Sequence, residues 1–388
     1  MNKMLDKVKG DRPIWMIVIV LSVFSLLTVY SSTGSLAYRF RAGNTEYYLF
    51  KHLIIIVMGL GLMYVAHKIK YTYYSRISQL ALFIAIPLLL YTLLRGTSIN
   101  EASRWLTLPI INISFQSSDF AKLAIIMYLA RLLAKKQETI KDFKSSFVPV
   151  VIPVVIICAL IMPSNFSTAA VLFTTCIVLM FIGRVRFTYI MALLGIGMVA
   201  VSLFVVVVMN MPDSGRVHTW KNRISTFTGA DVGDNYQANQ SKIAIATGGV
   251  FGKMPGNSTQ RNFLPHAYSD FIYAVIIEEY GLAGGFVVLM LYMMLLYRGV
   301  RIAHKSPGTF GALLAAGLSF SLVFQAMINM AVAVNLLPVT GQPLPMVSMG
   351  GTSMWFTSLS IGIILSVSRQ IEENEQENGQ TYAHATVN

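Results

Sequence analysis

Asp119, Lys122, Asp270, Glu278 and Glu279 stand inside or at the mouth of apolar runs, where ionisable side chains are expensive and mark function by default. Asp119 and Lys122 fall three apart in Phe115-Gln116-Ser117-Ser118-Asp119-Phe120-Ala121-Lys122, close to one helical face. Ser118 reads there as a helix N-cap, with Asp119 at the positive end of the helix it opens. Read as structure, this is a cap and a local ion pair. Asp270 heads a second apolar run. At 100° per residue Glu278 lies about 80° from it and Glu279 roughly opposite, so the three cannot share a face. A carboxylate at a helix mouth is either a helix cap or a functional group. Glu278 and Glu279 read as structural partners of a neighbouring helix.

Two further blocks combine backbone freedom with polarity. Gly248-Gly249-Val250-Phe251-Gly252-Lys253, Gly256 to Gln260 and Phe263-Leu264-Pro265 lead into Ser269-Asp270-Phe271. Their glycines let backbone come close to a bulky polar ligand. No GKS or GKT follows, so the block is not a P-loop. The second block has Asn329, then Leu336 to Pro345 and Ser348 to Ser353. Its prolines (Pro338, Pro343, Pro345) and glycines (Gly341, Gly350, Gly351) forbid a continuous helix. At membrane depth such backbone survives only where protein buries it or it lines a cavity, which predicts a broken or re-entrant segment. Pro163-Ser164-Asn165-Phe166-Ser167-Thr168 reads as a tight turn.

The elements that must position these residues follow from composition. Of 388 residues, 55% are hydrophobic and 12% charged, about half the roughly 25% of a soluble domain; mean hydropathy is +0.62. Apolar runs near the ~20 residues needed to cross a bilayer recur along the chain. We read an all-α, polytopic membrane protein of about ten transmembrane helices. The spans are Ile14–Tyr30, His52–Ala66, Ile77–Leu94, Phe120–Ala134, Phe147–Met162, Thr168–Gly183, Phe187–Met211, Asp270–Tyr297, Phe310–Val334 and Met354–Val367. Residues 1–368 form a single transmembrane domain, with a large extracytoplasmic loop at 212–269 between the seventh and eighth helices. The acidic stretch at 369–388 reads as a disordered cytoplasmic tail. With the N-terminus inside, Lys3 to Arg12, Lys68 to Arg76, Arg131 to Lys144, Arg184 to Arg186 and Arg298 to Lys305 all lie on the cytoplasmic side, as do both termini. The net charge of +13 therefore belongs to helix ends, and a nucleic-acid partner is set aside. Cys158 and Cys176 fall within spans and suggest no disulfide or metal framework. The outer loop keeps Arg216, Lys221, Arg223 and Lys253 where basic residues are disfavoured, which points to an anionic ligand outside.

From about Arg104 to Ser368 the chain resembles the SEDS family (shape, elongation, division and sporulation), whose members include FtsW, RodA and SpoVE. Arg104-Trp105 and Phe115 to Lys122 match one signature, Gly248 to Phe271 a second and Leu336 to Ser353 a third. The family's P-D-x-G-T turn is only echoed in Ser164 to Thr168, with Asn165 in place of its carboxylate. Asp119 replaces the usual Glu, and His266 and Asn262 stand where acidic residues are common. The phrase Val339 to Pro345 is more like the FtsW branch.

The resemblance implies a peptidoglycan glycosyltransferase of the bacterial cytoplasmic membrane that polymerises lipid II into β-1,4-linked glycan on the outer face, in division or elongation. It implies Asp270 as general base, Lys122 orienting it, and Asp119 positioning Lys122. Arg104, Arg216, Lys221, Arg223, Lys253, Gln260 and Ser348 become candidates for substrate and pyrophosphate. Gly248, Gly249, Pro265, Glu278, Glu279, Pro338, Pro345, Gly350 and Gly351 take structural roles. It further implies a divalent cation (Mg or Mn) with no ligand set legible here, a class B penicillin-binding transpeptidase as partner, and other divisome or elongasome membrane proteins. The alternative is a lipid II flippase. It would need a polar path to the cytoplasm and an inverted repeat between halves, and the sequence offers neither.

Overall fold

The computed structural model describes residues 9–41, 44–95, 97–99, 102–108, 113–212, 221 and 236–385. Asp11 starts the first helix, α1 (Arg12–Ser32). Its carboxylate accepts from the Ile14 N–H at 3.2 Å, and Pro13 sits in the first turn, where no donor is required. Then come α2 (Gly34–Arg41), α3 (Thr45–Lys68, capped by the Asn44 side chain) and α4 (Tyr71–Arg95). A three-stranded antiparallel meander follows, which the helical reading did not anticipate: β1 (Thr97–Ile99), β2 (Ala102–Leu108) and β3 (Ile113–Gln116), with Trp105 opposite Gln116. Alternation in Ile113-Ser114-Phe115-Gln116 suits a strand, and β3 runs straight into α5 (Ser117–Lys135).

The chain continues through α6 (Val148–Ile161), α7 (Phe166–Ile182) and α8 (Phe187–Asn210). Next are α9 (Tyr236–Gly248), α10 (Ile272–Lys305), α11 (Thr309–Ala333) and α12 (Thr352–Ala385). Each expected span falls on one of these helices. Among the described residues, 7 helical segments are both long and apolar enough to cross a membrane, and α7 is a shorter apolar helix.

α11 forms the centre of the bundle and packs against α5, α7, α10 and α12. Its apolar window is 67% buried, against 6% for α8, which leans on α7 and otherwise faces outward. α12 lies along α3, where small residues let the backbones close: a Cβ on Gly362 would stand 2.5 Å from the Met63 carbonyl oxygen.

Three expectations change. Ser118 does not cap α5. The chain enters from β3 with Gln116 as the flanking residue, its N–H donating to Thr352 Oγ1 at 3.2 Å, while Ser118 Oγ accepts from the Gln116 amide. The outer loop is not all loop: α9 packs on α10, and Ser241 Oγ donates to the Ala333 carbonyl at 2.6 Å. The acidic tail continues α12 as helix to Ala385, and carboxylates in its first part find donors. Glu372 accepts from the Gly10 N–H at 2.7 Å, Glu373 pairs with Lys9 and Arg369, and Glu375 pairs with Lys305.

Candidate active site

The irregular stretch between α11 and α12 is where the sequence blocks meet. Its prolines strip donors from the backbone, so its carbonyls must find partners elsewhere. Three helices, α1, α10 and α11, supply the donors. Asn329 on α11 donates to the Gln342 carbonyl at 2.8 Å, and Gln325, one turn earlier, to the Pro343 carbonyl at 3.0 Å. Tyr292 on α10 donates to the Pro345 carbonyl, and Ser25 on α1 to that of Val347 at 2.7 Å. The Gln342 side chain reaches Thr168 Oγ1, at 2.6 Å, in the first turn of α7. Asn165 caps that helix, accepting from the Thr168 N–H.

Asp270 lies on the rim of this stretch, half-buried, two residues before α10 and near its positive end. The backbone around it is fixed on three sides. Asn329 donates to the Asp270 carbonyl at 2.9 Å, Ser348 Oγ to that of Ser269 at 2.6 Å, and the Met349 N–H to that of Tyr268 at 2.9 Å. Ser348 is held in turn by the Leu344 N–H at 2.8 Å. Ser269 Oγ donates to Asp270 Oδ1 at 3.3 Å. Burial lifts the Tyr268 phenol above its ordinary range, with the Asp270 carboxylate and Tyr48 phenol adding to the rise, so Tyr268 remains a protonated neighbour of Asp270.

Lys122 forms an ion pair with Asp119 Oδ1 at 2.8 Å and donates to Gln325 Oε1 at 3.0 Å. Its route toward Asp270 thus runs through Gln325 and the irregular stretch to Asn329, four residues along the same face of α11. A cavity of about 30 Å³, enough for one water, adjoins the pair and is lined by Ser321, Thr357 and Ser360 beside Asp119 and Lys122.

The glycine-rich block serves α10 itself. Gly281 takes φ 70° and ψ −176° and kinks α10, which frees backbone groups on both sides of the bend. The block satisfies them: the Lys253 N–H donates to the Glu278 carbonyl at 2.9 Å, and the Leu282 and Ala283 N–H groups donate to Gly249 and Val250. A Cβ on Gly248 would stand 2.2 Å from the Ile277 oxygen, and one on Gly252 2.3 Å from that of Glu279. These glycines therefore make room for a helix backbone, where the sequence suggested a ligand.

Glu278 is fully buried beneath the block. It pairs with Lys253 at 2.8 Å and accepts from Ser258 Oγ, from both donors of Thr259 and from the Gln260 N–H. Glu279 accepts from Ser31 on α1, whose oxygens also hold Arg261. Lys253 and Gln260, candidates for a phosphate, thus occupy the knot around Glu278, while Ser348 adjoins Asp270. Lys221 donates to the Met211 carbonyl at 2.7 Å. Arg104 falls on β2, and Arg216 and Arg223 lie outside the described residues. Pro265 and Pro338 are exposed, Pro345 is buried, and Gly350 and Gly351 lead into α12. Among the described residues, no group of three or more His, Cys, Asp or Glu converges as a metal site.

Sequence reasoning missed Gln325, Gln342, Tyr292, Ser25 and His52. For Gln325 a signal existed, four residues before Asn329; for His52 it was an ionisable side chain within an apolar span.

A family model described as "Cell cycle protein", covering FtsW, RodA and SpoVE, matches residues 11–373. The chain belongs to this family. Stage V sporulation protein E of Bacillus subtilis (strain 168) is 32% identical over 373 residues, 94% of this chain and 98% of that protein. A probable peptidoglycan glycosyltransferase FtsW of Geobacter sulfurreducens (strain ATCC 51573 / DSM 12127 / PCA) is 33% identical over 371 residues, 93% of this chain and 96% of that one. Among solved structures, a chain of "Structural coordination of polymerization and crosslinking by a peptidoglycan synthase complex" superposes with a TM-score of 0.75 at 21% identity, covering 93% of this chain and 98% of that chain. The rod shape determining protein RodA of Thermus thermophilus does so with a TM-score of 0.67 at 21% identity, covering 94% and 98%. The polytopic membrane fold is that of RodA, and the SEDS resemblance carried by Arg104 to Ser368 holds over nearly the whole chain.

Proposed function

We propose that this chain is a peptidoglycan glycosyltransferase that polymerises lipid II, with Asp270 as its general base. The observation that carries the reading is a half-buried carboxylate fixed through its own backbone and that of Tyr268 and Ser269, on the rim of a polar network that also takes in Lys122. In the transfer, Asp270 accepts the proton of the acceptor hydroxyl as that oxygen attacks the donor's anomeric carbon with inversion. The bond from that carbon to the diphosphate oxygen breaks, and its electron pair leaves with the polyprenyl diphosphate. A diphosphate is already a good leaving group, so one carboxylate suffices where glycoside hydrolases use two. Lys122, held by Asp119 and Gln325, orients Asp270 through the irregular stretch. Arg104, Arg216, Lys221 and Arg223 supply positive charge for the diphosphate, and Lys253 is the weaker candidate because Glu278 already engages it.

Ten helices cross the bacterial cytoplasmic membrane with both termini inside and Asp270 outside, which matches the basic residues at one end of the bundle. A class B penicillin-binding protein is the proposed partner, supported by the fold shared with a chain of a peptidoglycan synthase complex. The flippase alternative has less support, since relatives at about 33% identity carry the glycosyltransferase name.

The test is polymerisation of lipid II by the purified chain with its transpeptidase partner, other glycosyltransferases excluded. We expect glycan from the parent and none from Asp270→Asn, with both proteins inserted and equally stable. Full polymerisation by the variant removes Asp270 as base. No glycan from either, with lipid II crossing vesicle membranes, favours the flippase.

A further inference from the structure

His52, on α3, is fully buried and, among the described residues, forms one hydrogen bond, 2.7 Å from Nε2 to Ser25 Oγ on α1. Ser25 Oγ also lies 2.7 Å from the Val347 carbonyl. A hydroxyl carries one proton, and a carbonyl has none to give, so that proton belongs to the bond with Val347. His52 must therefore donate from Nε2, which fixes its tautomer and leaves Nδ1 as a bare lone pair. Among the described residues nothing donates to that Nδ1. An apolar side chain would fill the same space without burying an unmet acceptor. Space-filling therefore does not account for an imidazole here; the donated bond does.

Its target sits next to the reacting centre. Val347 precedes Ser348, whose hydroxyl holds the Ser269 carbonyl beside Asp270. We propose that His52 is a positioning residue for the transfer. Through Ser25 it clamps the Val347 carbonyl from the α1–α3 side, while Ser348 clamps Ser269 from the other. Releasing the clamp lets residues 346–348 turn and carries the backbone of Asp270 with them. This inference rests on the glycosyltransferase reading.

The experiment measures lipid II polymerisation by the full chain with its transpeptidase partner, together with thermal stability and ¹⁵N-histidine spectra in nanodiscs. His52→Leu and Ser25→Ala should each lower kcat by about ten- to a hundredfold, the scale of a small misplacement of a catalytic group, with KM for lipid II unchanged. The two together should cost no more than either alone, because they act as one unit. His52→Gln keeps an amide donor near the Nε2 position and should restore most of the rate. The spectrum should show a protonated Nε2 and a bare Nδ1, from a signal that His52→Gln removes. Losses that track melting temperature, with no rescue by His52→Gln, overturn the positioning role, as does the opposite tautomer. Absence of polymer from the parent overturns the glycosyltransferase reading and this role with it. An active parent alongside an undiminished His52→Leu variant overturns this role alone.

Discussion

The Asp119–Lys122 pair shows what partner choice does to an ionisable side chain. The two side chains are 5% and 13% exposed, so each depends on the other in an apolar setting. Removing one partner of such a pair leaves a buried charge uncompensated and costs about 3–5 kcal/mol, while removing both is far milder. Lys122→Met should therefore lower the melting temperature sharply, and Asp119→Asn with Lys122→Met should recover most of it. If the double variant is stable yet makes no glycan, Lys122 acts in the chemistry as well as the packing; normal glycan would reduce it to structure. This pair was legible in the sequence because a spacing of three on one helix fixes a contact. Lys253 was not, since its partner Glu278 comes 25 residues later and meets it only because α10 folds beneath the glycine-rich block. Local spacing reveals local pairs; a cation whose partner arrives by tertiary folding reads as free.

α10 and the block covering it behave as one element. The kink at Gly281 breaks the helix ladder, and backbone hydrogen bonds with Gly249, Val250 and Lys253 repair it, so both need backbone in contact. At Gly281 the left-handed φ and a Cβ only 2.1 Å from the Val250 oxygen combine. Gly281→Ala should destabilise the protein by about 3 kcal/mol or more, from strain together with overpacking. Gly249 also has a positive φ, of 56°, but faces open space. Gly249→Asn should change stability by less than about 1 kcal/mol, since asparagine tolerates that region. Thermal unfolding of both variants in detergent checks the contrast, and equal losses would refute the packing argument. Sequence alone marked the glycines as places of close approach, but not what approaches, because a helix kink and a ligand make the same demand on the chain. The proline-rich stretch was more legible: its breakage follows from residue types, whereas its partners on α1, α10 and α11 follow only from the assembled bundle.

Across the whole molecule α1 and α10 run antiparallel, bound at both ends by polar contacts. At one end Ser31 bonds Glu279; at the other Asp11 accepts from Arg298 Nε at 2.9 Å and also from Nη2. From Asp11 to Ser31 an α-helix rises about 30 Å, and from Glu279 to Arg298 about 28 Å. Both match the ~30 Å hydrocarbon thickness of a bilayer. The two clamps thus bracket an interface about as long as that thickness. The tail adds ion pairs at the same end as Asp11, yet of another kind. Lys305 and Glu375 are 50% and 60% exposed, and an exposed pair contributes about 0–1 kcal/mol. Asp11 is buried, and besides Arg298 it caps α1, so losing Arg298 leaves its charge with the Ile14 N–H. Arg298→Ala should therefore cost about 3 kcal/mol, and Glu375→Lys less than about 1 kcal/mol. Raised salt should leave the parent's melting temperature nearly unchanged, since the buried clamp is screened far less than the tail. A melting curve insensitive to Arg298→Ala would mean that α1 is held by its apolar face alone, and that the matched spacing of the two clamps has no energetic weight.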